Sequence, residues 1–270
     1  MIRKFICILI FALFAQVNTL SAGTTGSEEL TSSSSQDTAS ECFEGVSRAM
    51  FKLNHGLDKV IFEPVAKGYR ALPVPIRKAT GNFTDNLRSL LTLSNNILQG
   101  EFRRAGNNAA RFGINTTAGI LGFFDPATKL GFEDQGKEDF GQTLGRWGSG
   151  TGCYFVLPIL GPTTTRDAVG LVGNIFLDPV YQITHNTEID NGVVGNGNYS
   201  EHNYYYYRGT GSIDFRAKNI ESFDSLEENS IDLYASLKSL YLQNRKQKIA
   251  NSTSAVETQD DSDWEEIDIN

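Results

Sequence analysis

The chain has 270 residues, 40% of them hydrophobic and 11% aromatic, enough to bury one or two cores. It carries 24 Lys and Arg against 32 Asp and Glu, a formal charge of -8. Seven carboxylates with no base crowd 251–270, so the rest of the chain is near neutral and lacks the basic face a nucleic-acid binder needs.

Residues 1–23, "MIRKFICILIFALFAQVNTLSAG", have the parts of a secretory signal: Arg3 and Lys4, the apolar run Phe5 to Ala15, then small residues. That run is too short to cross a hydrocarbon core, which takes about 20 helical residues. Export with cleavage near Ala22 or Gly23 is expected, in preference to a retained anchor. Residues 24–40 are small and polar and read as a disordered tether, and 251–270 as an acidic disordered tail. The folded part is 41–250. Export leaves Cys42 and Cys153, which could pair or remain buried thiols.

Along 41–62, Phe43, Val46, Met50, Leu53, Leu57, Val60 and Ile61 recur at helical steps, and the helix is expected to end near Pro64. Pro75 starts a second helix that carries Ile76, Ala79, Phe83, Leu87, Leu90 and Leu91 and closes at Gly100. A third runs over "FRRAGNNAARF", 102–112. A last one carries Ile231, Tyr234, Leu237, Leu240, Tyr241 and Ile249. The best strand candidates are 153–160, where Pro158 argues against a central strand, and "NYYYYRG" at 203–209. The fold class is mainly α.

Two stretches mix glycine with apolar residues: 113–131, "GINTTAGILGFFDPATKLG", and 145–181, which opens "GRWGSGTGCYFVLPILGP". Neither is long enough to span a bilayer, but both could lie within one leaflet or pack inside the protein.

Enzymatic constellations are missing. No GxSxG elbow surrounds Ser149, and "GSGTG" lacks the flanking strand, helix and lysine of a phosphate loop. His55, His185 and His202 have no nucleophile placed beside them, and no Cys/His spacing suits a metal. Glu138-Asp139 reads as a solvated helix start, and Arg166-Asp167 as a helix brace in preference to a phosphate site. No catalytic residue, metal or cofactor is expected. Trp147 and Tyr204 to Tyr207 fit either a membrane interface or a core.

The segments 43–70, 74–131, 138–170 and 177–181 and the C-terminal 229–249, with "FGQTLGRWG", "LPILGPTTTRD" and "FFDPATKLG" as the sharpest motifs, together resemble the MlaA family, also called VacJ. The resemblance covers nearly all of 41–250. It implies a ring-like bundle of amphipathic helices in the inner leaflet of the outer membrane of Gram-negative cells, with Gly-rich connecting segments and a central amphipathic channel. It implies non-enzymatic removal of mislocalised phospholipid from the outer leaflet and delivery to an MlaC-like periplasmic carrier, beside a trimeric outer-membrane porin. Members are commonly lipoproteins, whereas "LSAG" here is followed by Thr24, so the usual acyl anchor is not expected. The polar segment 186–203 looks inserted. A secreted or surface interaction protein that keeps the fold without transport is the alternative.

On this reading, channel wall or membrane contact falls to Gly119, Gly122, Phe123, Phe124, Gly148, Gly150, Gly152, Tyr154, Phe155 and Leu157. Glycine lets backbone approach a passing lipid, and the apolar side chains face its tails.

Overall fold

The computed structural model describes residues 39–185 and 201–250. The signal, most of the tether, the greater part of the inserted segment and the acidic tail lie outside the described residues.

The first helix, α1 (Glu44–Leu57), passes through a π-helical turn, Asp58–Phe62, into α2 (Glu63–Arg70). Pro64 therefore sits in the first turn of α2 and does not end the helix. A proline in an α-helix clashes with the carbonyl four residues back. Here the turn widens just ahead of it, with Glu63 N–H bonded to the Asp58 carbonyl five residues back.

The longest helix, α3 (Val74–Leu98), starts after Pro73 with Pro75 in its first turn and ends at Gln99 and the left-handed Gly100. It packs along α4 (Phe102–Thr117). A single-turn helix, α5 (Pro126–Lys129), is capped by Asp125 and leads to α6 (Phe140–Arg146), capped by Asp139.

Next comes a small sheet in the order β1-β2-β3. The edge strand β1 (Ser40–Glu41) runs parallel to β2 (Cys153–Leu157), and β3 (Gly161–Thr164) is antiparallel to β2, with Tyr154 opposite Thr164 and Leu157 opposite Gly161. Cys153–Leu157 is thus a central strand, because Pro158 falls one residue beyond its end and costs no ladder bond. Tyr154 and Val156 point inward at period two. They pack with Tyr234, Phe51 and Tyr241 in the larger of two small apolar clusters. Cys42 and Cys153 form a disulfide.

Helix α7 (Thr165–Leu177) is capped by Thr164 and followed by α8 (Pro179–His185). Helix α9 (Glu201–Lys218) contains 203–209, the second strand candidate. Four consecutive tyrosines offer no period-two contrast. At helical spacing Tyr204 and Tyr207 are half-buried, with Tyr204 against Tyr181 at 5.1 Å, while Tyr205 and Tyr206 stay exposed. The chain closes with α10 (Ile220–Asn229) and α11 (Leu233–Ile249), and α11 packs against α6.

Two glycines decide how closely α6 and α7 approach. A Cβ on Gly170 would lie 2.4 Å from Gly141 N, and one on Gly173 would lie 2.1 Å from the Phe140 ring. Only glycine admits that crossing. Among the described residues no helix is long and apolar enough to cross a membrane.

Candidate functional site: a polar interior under an apolar exterior

The described residues place polarity inside. Ten apolar residues are buried against nineteen polar or charged ones, while large apolar side chains lie exposed on nearly every helix. In α3 the buried set is Gly81, Thr84, Asn86, Leu91, Thr92, Asn95 and Asn96, whereas Val74, Ile76, Ile97 and Leu98 are exposed. In α4, Asn108 and Asn115 are buried with Ala105, and Phe102 is exposed. In water this arrangement is costly on both faces, because apolar side chains stay hydrated and buried amides need partners.

Many of those partners are present. Thr143 Oγ1 donates to Asn95 Oδ1 at 2.7 Å, and Asn86 Nδ2 donates to Thr116 Oγ1 at 3.0 Å. Gln99 Nε2 donates to Glu138 Oε2 at 3.1 Å. Glu138 is buried and its carboxyl is pushed up by that burial, so the pair Glu138-Asp139 is not solvated. Asp139 instead caps α6 and receives Arg245 Nη1 and Nη2 at 2.6 and 3.0 Å. Arg245 also reaches Asp167 at 2.7 Å, which takes the Tyr241 hydroxyl at 2.6 Å and Arg166 Nε at 3.1 Å. Burial alone would raise both aspartates, but the hydrogen bonds and charge of Arg245 outweigh it and hold them below the usual carboxylate range. Arg166-Asp167 is thereby part of a closed helix-start network.

Between α3, α4 and the segment 125–137 lies a cavity of about 160 Å³ lined by side chains that include Asn82, Asn86, Asn108, Arg111, Asn115, Asp125 and Lys137. Its rim adjoins the turn 118–124. Ile120 and Leu121 both have positive φ (53° and 59°) and are each 60% exposed. The hairpin turn after β2 repeats this, with Ile159 at φ 66° and 69% exposed and Leu160 68% exposed. Left-handed backbone at a β-branched residue is a true outlier and persists only where the surroundings over-determine it. Asn54 of α1 supplies that hold at the second turn, donating to Leu157 O and accepting from Ile159 N, both at 2.7 Å.

Four of the ten residues singled out from sequence lie in the first turn, and two more lie on the strand that leads into the second. Gly119 meets the Phe124 and Asn115 carbonyls too closely for a side chain, and Gly122, at φ 93°, abuts Asn86. Phe123 stacks on Phe83 at 5.1 Å, and both Phe123 and Phe124 are exposed. Phe155 and Leu157 are half-buried on the outward face of β2. Gly148 and Gly150 border open space, and Gly152 packs on Thr165. Tyr154 is fully buried among aromatic rings and has no surface to offer a lipid. Trp147 is exposed, its Nε1 donating to Leu98 O at 3.1 Å.

Sequence reasoning missed the buried amides and Arg245. The amides had a signal, since "NN" recurs at 95–96 and 107–108 inside helices where Asn is a poor helix former. Among the described residues no group of three His, Cys, Asp or Glu is placed to hold a metal ion.

The family model described as MlaA lipoprotein matches residues 39–248. The chain belongs to the MlaA family. It is 31% identical over 226 residues to the Intermembrane phospholipid transport system lipoprotein MlaA of Haemophilus influenzae, covering 82% of this chain and 83% of that one. It is 32% identical to the Escherichia coli protein of the same name, covering 82% of each. An uncharacterized protein of Rickettsia prowazekii is 38% identical over 146 residues, 53% of this chain and 58% of that one. The alignment with this rickettsial relative thus spans a little over half of its length. A solved structure, described as the structural basis for maintenance of bacterial outer membrane lipid asymmetry, superposes with a TM-score of 0.64 at 30% identity, over 78% of this chain and 99% of its own. The mainly helical fold is that of the family.

Proposed function

We propose that this protein moves phospholipid at the outer membrane, drawing mislocalised lipid from the outer leaflet and passing it to a soluble periplasmic carrier. The observation that supports this most directly is the inverted distribution of polarity, with amides and paired charges inside and Ile, Leu, Val and Phe outside. A protein seated in one leaflet needs such an exterior, and no spanning helix is required for that seat.

The energetic need is plain. A two-chain phospholipid has about 30 methylenes, each worth about 0.8 kcal/mol on leaving water. Passage is therefore feasible only where tails stay sheltered and the head group stays hydrated. In a ring-like bundle with a central channel, the polar interior takes the head group. Gly119, Gly122, Phe123, Phe124, Gly148, Gly150, Gly152, Phe155 and Leu157 form the wall or its membrane edge, and Tyr154 supports that wall from behind. A trimeric porin alongside and an MlaC-like acceptor complete the route. The protein acts as a conduit and leaves the lipid chemically intact.

The test is transfer of labelled phospholipid from proteoliposomes to a soluble carrier, with product identity checked by mass spectrometry. Intact lipid in the carrier fraction is expected. Recovery of lysolipid, or no transfer by a folded protein, refutes the proposal.

A further inference from the structure

The cavity between α3, α4 and 125–137 is a built polar site beside an apolar turn. Asn108 lines it, is 3% exposed, and its Nδ2 donor has no partner within the protein. An amide donor so placed is costly unless something accepts from it. The lining holds three carboxylates, Asp85, Asp125 and Asp134, against two cations, Arg111 and Lys137. Asp125 is engaged by Arg111, Asn115 and Thr128, and Asp85 by Lys137. Asp134 accepts from Gly136 N at 3.0 Å and is otherwise open to an incoming cation.

The rim joins this polar pocket to the turn without a gap. Asn82 Nδ2 donates to Phe123 O at 3.2 Å, and Gly122 lies against Asn86. A molecule with a polar head in the pocket would therefore lay its apolar part on Ile120, Leu121, Phe123 and Phe124.

We propose that this cavity seats a phospholipid head group bearing both a phosphate and a primary ammonium, with its acyl chains on the 120–124 turn. Asn108 and Lys137 donate to the phosphate oxygens, and Asp134 accepts the ammonium. With one more negative than positive group in the lining, a head group of net zero charge fits better than an anionic one. The assignment rests on the transport reading above and adds lipid selectivity to it.

Full-length protein in mild detergent is equilibrated with equal amounts of phosphatidylethanolamine and phosphatidylglycerol of identical chains, and retained lipid is counted by mass spectrometry. The ethanolamine lipid should be enriched about two- to fivefold, the range for one exposed ion pair. Asp134→Asn should bring the ratio close to one without loss of fold, since Asp134 is exposed. Asn108→Leu should reduce retention of both lipids. A wild-type ratio of one, or a ratio that Asp134→Asn leaves unchanged, overturns the site while retained lipid keeps transport standing. Folded protein that holds no lipid overturns the site and the transport reading together. Glycerophosphoethanolamine, the same head group without tails, is the second probe. Displacement of lipid only at high excess supports a lipid ligand, and tight binding of it with no retained lipid overturns that source.

Discussion

Arg245 is the residue on which the interior turns. It comes from the last turns of α11 and bridges Asp139 at the start of α6 to Asp167 at the start of α7. Removing one partner of such a buried set leaves an uncompensated charge, which costs about 3–5 kcal/mol. Arg245→Met should lose stability on that scale, read from urea midpoints. The acid behaviour carries a sign that follows from the lowered carboxyls. Asp139 and Asp167 are depressed in the fold, so their contribution is full above the unfolded value near 4 and is lost as pH falls below it. Wild-type protein should therefore lose stability progressively as pH falls below about 4, and Arg245→Met should show a much flatter dependence there. Equal acid slopes in the two proteins would remove Arg245 from the account.

At the scale of elements, the disulfide is the strongest single constraint on the N-terminal segment. It joins Cys42, just past β1, to the first residue of the central strand β2, across 111 positions. Glu41 is further tied to Lys238 at 2.6 Å and to the Tyr234 hydroxyl. Closing a loop of this length restricts the unfolded chain by about 4–5 kcal/mol in the entropic model. The paired change Cys42→Ala with Cys153→Ala should cost about 2–5 kcal/mol by denaturant titration, with helix content preserved by circular dichroism. A change below about 0.5 kcal/mol would mean that the sheet and α11 contacts already hold the segment.

Helices were legible wherever apolar residues recur at three- and four-residue steps, because the backbone period is the same whichever face is buried. Which face lies inside was not legible. Ile76 and Phe102 mark the outward side of α3 and α4, and Asn95 and Asn108 mark the inward side, the reverse of a water-soluble core. The tyrosine run at 204–207 misled through its β propensity, which is really a statement about packing context. The left-handed conformation of the two Ile turns was not legible, since local preference disfavours it and the tertiary hold of Asn54 and Asn82 decides.

For the whole molecule, the two strained turns offer a way to separate membrane seating from folding. Ile120 with Leu121, and Ile159 with Leu160, project outward from different parts of the chain and share the sequence Ile-Leu-Gly. Each fully buried Ile or Leu is worth about 1.5–3 kcal/mol on leaving water, and these side chains are 60–69% exposed, so one pair in the acyl region contributes about 2–4 kcal/mol. Changing either pair to Asp should then weaken binding to phospholipid vesicles by about a hundredfold in a flotation assay. The melting temperature in detergent should barely move, because these side chains are largely exposed. Both pairs changed together should leave a folded protein in the soluble fraction. Unaltered flotation of that fourfold variant would place the membrane-facing surface elsewhere, on α1 and α7, whose Val46, Leu53, Val172 and Phe176 are also exposed.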